Sequence, residues 1–265
     1  MLYNAKEAKL ILDDVQMDYI TFGNGIRPLI MIQGLNTRDI KGAALPLAYM
    51  YRIFAKEYKV YLFDRRKNIA GDITVKDIAA DIAKAMDELK ISNADVFGTS
   101  QGGMIAQYLA IDRPDLVRKM VLAVTLSRNN PTVETAIEKW LFLTEQGNFK
   151  ELIKDMTYLM YSDNYVKRYK PFLPLLTVLQ KPKDIQRFKI LSKACLTCQT
   201  YDELDKIKCP VFVIGGKQDK VTSAAASEEI AQKLGCKLYM YENLGHSAYE
   251  EAKDFNKRVY DFLKD

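Results

Sequence analysis

The sequence predicts an α/β protein in which a mostly parallel, doubly wound sheet carries an inserted helical segment. Short apolar runs alternate with segments of helical periodicity along the chain, a pattern that favours a parallel sheet covered by helices on both faces. Several of these runs are apolar throughout, as is typical of strands buried on both faces. From about residue 128 to residue 208 the strand pattern stops and helical periodicity alone remains.

The N-terminal elements are two predicted strands, residues 9–12 and 16–22, joined by a tight turn at Asp13 and Asp14. We expect them to pair as an antiparallel edge of the sheet. Residues 28–33 form the first fully apolar strand. A loop over residues 34–42 and a helix over residues 43–57, starting near Pro46, should follow.

The central and C-terminal elements continue the alternation. Thr74 and Asp77 resemble a capping box at the start of a helix whose apolar residues recur at helical spacing. A second helix begins near Gly102 and stops near Pro114. The remaining predicted strands are residues 59–63, 95–98, 119–125, 211–214 and 237–241, and the remaining predicted helices are residues 224–234 and 252–263.

The domain organisation follows from the interruption of this pattern. Residues 1–127 and 209–265 are predicted to form one core domain, and residues 128–208 a helical segment inserted into it. Pro171, Pro174 and Pro182 should divide the inserted segment into short helices, because proline is poorly tolerated inside a helix.

Composition excludes several classes of protein. The chain has 265 residues, 48% hydrophobic and 28% charged, with a net charge of +5, which is ordinary for a globular enzyme and is too little charge to imply nucleic-acid binding. Its densest basic stretch, residues 167–170, is best explained as a solvated helix face. The N-terminus lacks the pattern of a signal peptide, and no apolar run approaches the 18 or so residues of a membrane span. We therefore expect a soluble, cytoplasmic protein.

The four cysteines include one C-x-x-C pair, Cys195 and Cys198. A redox motif would follow a strand and open a helix, but this pair lies in the middle or at the end of a predicted helix. A zinc site would need two further ligands, and the chain offers one histidine and two distant cysteines. We therefore expect buried or half-buried thiols and no bound metal.

The strongest chemical signal is Gly98-Thr99-Ser100-Gln101-Gly102, a G-x-S-x-G sequence between a predicted strand and a predicted helix. This spacing places a serine on a sharp turn with its hydroxyl pointing away from the sheet, and the flanking glycines leave room for the backbone. The helix that follows directs backbone N–H groups and the positive end of its dipole towards the reacting oxygen. The alternative interpretation is a tight glycine turn with an inactive serine.

The second signal is the single histidine, His246, which follows the strand predicted at residues 237–241. Sites in open α/β sheets lie at the carboxyl ends of parallel strands, so this position suits a general base. Asp219 follows the strand at residues 211–214 and can accept a hydrogen bond from that histidine. Alone, Asp219 would be interpreted as a turn or cap residue. The competing position for an acid, residues 126–130, has no carboxylate.

These three motifs, in the order Ser100, Asp219, His246, resemble the α/β-hydrolase superfamily, in its lipase, esterase and thioesterase branch with a helical cap. The resemblance covers nearly the whole chain. It implies the α/β-hydrolase fold, with Ser100 as nucleophile, His246 as base and Asp219 as the acid that orients the histidine, and it implies no cofactor.

The same resemblance implies an oxyanion hole made by two backbone N–H groups. Gln101 follows the nucleophile and supplies one. The other belongs to the loop after the strand at residues 28–33, where the family often has His-Gly and this chain has Gln33-Gly34. Leu35 is the preferred donor and Asn36 the alternative.

The inserted segment is rich in apolar side chains, more than its short helices can bury by themselves. We expect it to cover Ser100 as a cap. Trp140, Phe172 and Leu175 of this segment, together with Asn36, are predicted to contact the substrate. Asp64-Arg65-Arg66 resembles an Asp-x-Arg-Gly loop of the family without its glycine, and is interpreted as a structural ion-pair loop.

The predicted activity is hydrolysis of a small-molecule carboxylic ester or thioester through an acyl-enzyme on Ser100. A serine in place of an aspartate argues against haloalkane dehalogenase or epoxide hydrolase chemistry. Carbon–carbon bond hydrolases, cofactor-free perhydrolases and proline aminopeptidases share the same three residues, so they stay open. A receptor-like protein that binds a ligand with little turnover is the non-enzymatic alternative. The sequence does not specify the acyl group, the leaving group or the oligomeric state.

Overall fold

The computed structural model describes residues 2–12 and 15–265, and eight strands within these ranges form one sheet. The strands are β1 (Lys6–Leu12), β2 (Val15–Phe22), β3 (Arg27–Ile32), β4 (Tyr58–Phe63), β5 (Ala94–Thr99), β6 (Val117–Ala123), β7 (Val211–Gly216) and β8 (Lys237–Tyr241). Their order across the sheet is β1-β2-β4-β3-β5-β6-β7-β8. The pairs β1–β2 and β2–β4 are antiparallel, and the pairs from β4 to β8 are parallel. The mostly parallel sheet is confirmed; the turn predicted at Asp13 and Asp14 lies outside the described residues.

The helices of the described ranges alternate with the strands on both sides of the inserted segment. They are α1 (Ala44–Met50), α2 (Val75–Glu88), α3 (Gln101–Asp112), α4 (Pro131–Glu145), α5 (Phe149–Met160), α6 (Asp163–Tyr169), α7 (Leu173–Leu179), α8 (Ile185–Cys195), α9 (Ala224–Leu234), α10 (Ala248–Glu251) and α11 (Phe255–Lys264). None of these helices is long and apolar enough to cross a bilayer.

The central strands β3, β5 and β7 are largely buried on both faces, as the continuous apolar runs predicted. In β3, Leu29 and Met31 belong to the apolar cluster that includes residues of α1 and α11. Ile30 and Ile32 point the other way, into the cluster that includes residues of α2, α3 and α9. Because successive side chains of a strand face opposite sides of the sheet, this alternation shows a doubly wound fold.

Helix boundaries agree with the sequence where a local signal sets them. Thr74 Oγ1 accepts a hydrogen bond from the Asp77 backbone N–H (3.1 Å), and Asp77 accepts one from the Thr74 N–H (2.9 Å), which is the predicted capping box. The helix predicted at residues 43–57 is shorter: α1 ends at Met50, and a 3₁₀ turn over Arg52–Phe54 follows. The tighter turn accompanies burial of the Phe54 ring in the core.

The last predicted helix, residues 252–263, is also corrected. It begins later than predicted, as α11 at Phe255; the short helix α10 ends before it at Glu251, and Ala252 between the two helices has an extended backbone (φ −82°, ψ 117°). The sequence contains no glycine or proline at this break, so composition alone does not reveal it.

Helices α4 to α8 lie between β6 and β7, and their starts are set by side-chain caps. Asn130, Asn148, Ser162 and Asp184 each accept a backbone N–H at the start of a helix, which stabilises short helices that would otherwise leave these donors unsatisfied. Pro182 lies between α7 and α8 as predicted, whereas Pro174 lies in the first turn of α7, where its missing N–H costs little.

The C-x-x-C cysteines are buried, in agreement with the sequence. Cys195 is the last residue of α8, and its thiol and that of Cys198 are free and buried. Burial raises the pKa of each thiol to about 12, so both stay protonated near neutral pH and lack the thiolate that a reactive cysteine requires.

Candidate active site

Ser100 lies at the turn between β5 and α3 and has an unusual backbone conformation, φ 55° and ψ −121°. A non-glycine residue in such a region costs about 1–3 kcal/mol, and the surroundings hold it there. The Ser100 N–H donates to the Ala123 carbonyl (2.8 Å), and the Ser100 carbonyl accepts from Thr125 Oγ1 (2.8 Å). The serine therefore sits on the strained strand-to-helix turn that the sequence predicted.

The glycines of this turn are required by close backbone contacts. A Cβ on Gly102 would lie 1.9 Å from the Ile32 carbonyl oxygen, so α3 packs directly against the end of β3. A Cβ on Gly98 would lie 2.4 Å from the Gly102 carbonyl oxygen. Both distances are far below van der Waals contact, and neither neighbour is a flexible side chain, so larger residues would displace the turn that carries Ser100.

His246 and Asp219 reach the serine from loops after β8 and β7. A Cβ on Gly216 would lie 2.3 Å from the Leu244 carbonyl oxygen, and the Gln218 N–H donates to that same carbonyl (3.0 Å). The two loops are thus pressed together, and this contact fixes the separation of the acid and the histidine.

The three predicted side chains form one hydrogen-bonded line. His246 Nε2 lies 2.9 Å from Ser100 Oγ, and His246 Nδ1 lies 2.9 Å from Asp219 Oδ2. Asp219 and His246 are both buried, whereas Ser100 is half-buried. A carboxylate accepts only, so Nδ1 carries the proton and Nε2 is left to accept from the serine hydroxyl.

The Asp219 carboxylate accepts four hydrogen bonds, which hold it in place. Oδ1 accepts from the backbone N–H groups of Val221 (2.8 Å) and Thr222 (2.9 Å), and Oδ2 accepts from Thr222 Oγ1 (2.8 Å) as well as from His246. Burial alone would raise the pKa of Asp219, but His246 and these hydrogen bonds outweigh it, and the pKa is lowered. The acid is therefore ionised at neutral pH.

The loop after β3 runs directly beside the serine. A Cβ on Gly34 would lie 3.1 Å from Ser100 Cβ, so only a small residue allows this approach. Leu35 and Asn36, the two predicted donors of the second oxyanion N–H, both line the cavity that contains Ser100. The Asn36 side chain donates to Gln33 Oε1 (2.9 Å), which ties the loop together where the family often has histidine.

Comparison with known proteins identifies the family. Residues 27–253 match the model of the family described as alpha/beta hydrolase fold. The chain belongs to the α/β-hydrolase family. It is 23% identical over 261 residues to 3-oxoadipate enol-lactonase 2 of Acinetobacter baylyi, covering 96% of each chain. It is 29% identical over 204 residues to the pimeloyl-[acyl-carrier protein] methyl ester esterase of Neisseria meningitidis, covering 69% of this chain and 75% of that protein.

A solved structure shows the same fold. The enol-lactonase from Burkholderia xenovorans LB400 superimposes with a TM-score of 0.83 at 22% identity, covering 97% of this chain and 100% of that one. The architecture of this α/β-hydrolase is therefore shared along almost its full length.

The cavity at Ser100 has a volume of about 280 Å³. It is lined by His246 and by the loop after β3, among others, and by residues of the helical stretch between β6 and β7. The latter are Trp140, Ile153, Met156, Thr157, Met160, Tyr161 and Gln180. Most of them belong to α5, and Trp140 belongs to α4.

The structure separates the predicted substrate contacts into two groups. Asn36 and Trp140 line the cavity, and the buried Trp140 ring is anchored by its Nε1–H, which donates to Asp155 Oδ2 (3.0 Å). Phe172 and Leu175 do not line it and are each 56% exposed. The prediction for these two is corrected: Phe172, in the 3₁₀ turn Lys170–Phe172, and Leu175, in α7, are exposed to solvent, and residues of α4 and α5 line the cavity instead.

The junction between α5 and α6 is attached to the segment that follows His246. The Ser247 N–H donates to the Met160 carbonyl (2.8 Å). The Ser162 N–H (2.9 Å) and hydroxyl (2.5 Å) both donate to the Glu251 carboxylate, and the Tyr161 hydroxyl donates to Glu250. The inserted segment and the histidine loop are therefore joined at one place.

Among the described residues, no group of three or more His, Cys, Asp or Glu side chains is placed to hold a metal ion.

Arg65 has contacts that the sequence did not predict. Its buried guanidinium donates through Nη2 to the Gln33 carbonyl (2.5 Å) and to Gln101 Oε1 (3.0 Å), so one group joins the loop after β3 to the residue after Ser100. Burial lowers the pKa of Arg65 to about 10, which leaves it charged at neutral pH. The interpretation of residues 64–66 as an ion-pair loop holds for Asp64, which pairs with Arg187, and for Arg66, which pairs with Asp81.

We expect Arg65→Met to lower kcat by about 10- to 100-fold with little change in KM, because small displacements of catalytic groups have effects of this order. Removing the donor also leaves buried acceptors unsatisfied, which should cost about 1–3 kcal/mol of unfolding free energy. Steady-state kinetics and urea unfolding measure the two effects. Arg65→Lys is the matched control and should recover part of the loss. A less stable Arg65→Met protein with unchanged kcat would contradict the positioning role.

Proposed function

We propose that this protein is a serine hydrolase that cleaves a small-molecule carboxylic ester or thioester. The observation that carries the proposal is the continuous line from Ser100 Oγ through His246 to Asp219, with both contacts at 2.9 Å. Two relatives, an enol-lactonase and a methyl ester esterase, are named for chemistry at an acyl carbon, which agrees with this proposal.

In the proposed reaction, Ser100 Oγ attacks the substrate carbonyl carbon while His246 Nε2 accepts the hydroxyl proton. The backbone N–H groups of Gln101 and Leu35 stabilise the negative oxygen of the tetrahedral intermediate. His246 then gives its proton to the leaving alcohol or thiol as the bond to the acyl carbon breaks. A water molecule, deprotonated by the same imidazole, attacks the acyl-enzyme and releases the acid and free Ser100.

We propose that residues 128–208 act as the cap of this site and residues 1–127 and 209–265 as its core. The cavity lining supports this division, because residues of α4 and α5 line the same space of about 280 Å³ as Ser100. A cavity of this size suits a small substrate or one acyl chain better than a large polymer.

A fluorophosphonate probe followed by a panel of nitrophenyl esters and thioesters tests the proposal. We expect covalent labelling at Ser100, identified by mass spectrometry of the peptide, and turnover of at least one ester series. Binding of small esters without labelling or turnover would instead support the receptor-like alternative.

Because the chain has a single histidine, its pH profile can be assigned. We expect kcat/KM for a neutral ester to fall at acid pH, since only the neutral imidazole can act as base. The pKa of Asp219 is lowered, so this carboxyl is already ionised and adds no step above the usual Asp range, about 3.9. The pH profile of kcat/KM measures the effect, and a rate that stays constant down to the Asp range would contradict the assignment of His246 as the base.

A further inference from the structure

The cavity at Ser100 contains a second carboxylate. Glu250, the third residue of α10 and four residues after His246, lines the cavity. Among the described residues that line the cavity, Glu250 is the one acidic side chain, and none is a lysine or an arginine. His246 adds a positive charge only when it is protonated. The mechanism above does not use this group.

The contacts of Glu250 leave its charge available to a ligand. The Tyr161 hydroxyl donates to Glu250 Oε2. Burial and the adjacent Glu250 raise the pKa of Tyr161 well above its usual range, so the phenol keeps its proton and acts as the donor. Tyr249 also acts on Glu250 as a side-chain hydrogen-bond partner, and burial raises its pKa well above the usual range, so it too is neutral. Hydrogen bonds from neutral phenols orient the carboxylate but do not neutralise it.

The surroundings of Glu250 are acidic. Burial of the carboxyl group raises the pKa of Glu250, and the like charge of Glu251 adds to this effect. The residue as a whole is still exposed to solvent. The Glu251 carboxylate accepts hydrogen bonds from the backbone N–H and the hydroxyl of Ser162. The structural attachment of the inserted segment at this point is thus largely made by Glu251, and Glu250 is the acid that faces the site.

We propose that Glu250 selects substrates by charge, so that the site accepts esters bearing a cationic or neutral group near the scissile bond and discriminates against esters bearing a carboxylate. The inference rests on the proposed ester or thioester hydrolysis. Its physical basis is that a carboxylate in a partly enclosed space attracts a nearby cation and repels a nearby anion more strongly than it does in bulk water.

The test uses three nitrophenyl esters of one chain length whose far ends are trimethylammonio, tert-butyl or carboxylate. The first two groups have the same shape and differ in charge. A second series places the same end groups on the alcohol side of a butyrate ester, so that either orientation in the cavity is sampled. The measured quantity is kcat/KM of each charged ester divided by that of the tert-butyl ester, corrected for the uncatalysed rate.

For the natural protein we expect the cationic ester to exceed the anionic ester by at least about tenfold in one series, because attraction and repulsion add. Glu250→Gln keeps the shape and should bring the ratio close to one. Glu138→Gln, at an exposed position on α4, makes the same change in net charge and should keep the original ratio. Tyr161→Phe removes its hydrogen bond and retains the carboxylate, so it should keep the preference for the cation.

Salt provides a test that needs no variant: raising the ionic strength should reduce the cation-to-anion ratio of the natural protein. Equal losses for all three esters in Glu250→Gln would show a purely structural role and overturn the proposal, as would a natural protein with no charge preference in either series. If the natural protein hydrolyses none of the esters, the proposed function itself fails; if it hydrolyses the tert-butyl ester without charge discrimination, only the role of Glu250 fails.

Discussion

Ser100→Ala is expected to lower kcat by on the order of 10⁶-fold, the loss that removal of the nucleophile causes in a comparable triad. His246 and Asp219 would remain in place, but no hydroxyl would be available to form the acyl-enzyme. Ester turnover measures the effect, and loss of fluorophosphonate labelling provides an independent readout.

The matched control for this variant is Ser92→Ala, at an exposed position just before β5. It should retain both activity and labelling. Circular dichroism and thermal unfolding would verify that the Ser100→Ala protein is folded. A folded Ser100→Ala protein with full activity would rule out the mechanism proposed above.

Asp219→Asn is expected to lower kcat by on the order of 10⁴-fold while Ser100 and His246 stay in place. The amide can present an N–H where the carboxylate accepted one, which favours the histidine tautomer with its proton on Nε2. That tautomer cannot accept the proton of Ser100. Kinetics on the same ester panel measure the effect.

The control for this variant is Asp205→Asn, an exposed carboxylate remote from the cavity, which should leave activity unchanged. The variant also tests the choice of acid, because Glu250 lines the same cavity. If Asp219→Asn is nearly fully active and Glu250→Gln abolishes turnover of neutral esters, Glu250 and not Asp219 supports the base.

Much of the site was predictable because its signals are local. The G-x-S-x-G spacing around Ser100 is a property of one strand-to-helix turn. Positions 98 and 102 require glycine, because a Cβ at either position would lie within 2.4 Å of a backbone atom. The single histidine and the acid after β7 could be placed because parallel strands end at a common edge of the sheet. Thr74 and Asp77 marked the start of α2 for a similar local reason.

The remaining features depend on contacts between residues distant in sequence. Phe172 and Leu175 are apolar, but the sequence does not show that the 3₁₀ turn and the helix that carry them lie away from the cavity. Arg65 contacts Gln33 and Gln101, which lie on two other elements. Glu250 appeared to be one of many surface acids in the sequence, and only the fold of α10 beside α5 brings it to the cavity.

The attachment of the α5–α6 junction beside His246 restricts how a substrate can enter. Lifting this junction away from the core would break the hydrogen bonds to Met160, Ser162 and Tyr161 and would pull on the loop that holds the base. We therefore expect this junction to stay in place during turnover. Any widening of the entrance would occur away from it, so that the site can admit an ester while the hydrogen bonds from Ser100 through His246 to Asp219 are kept.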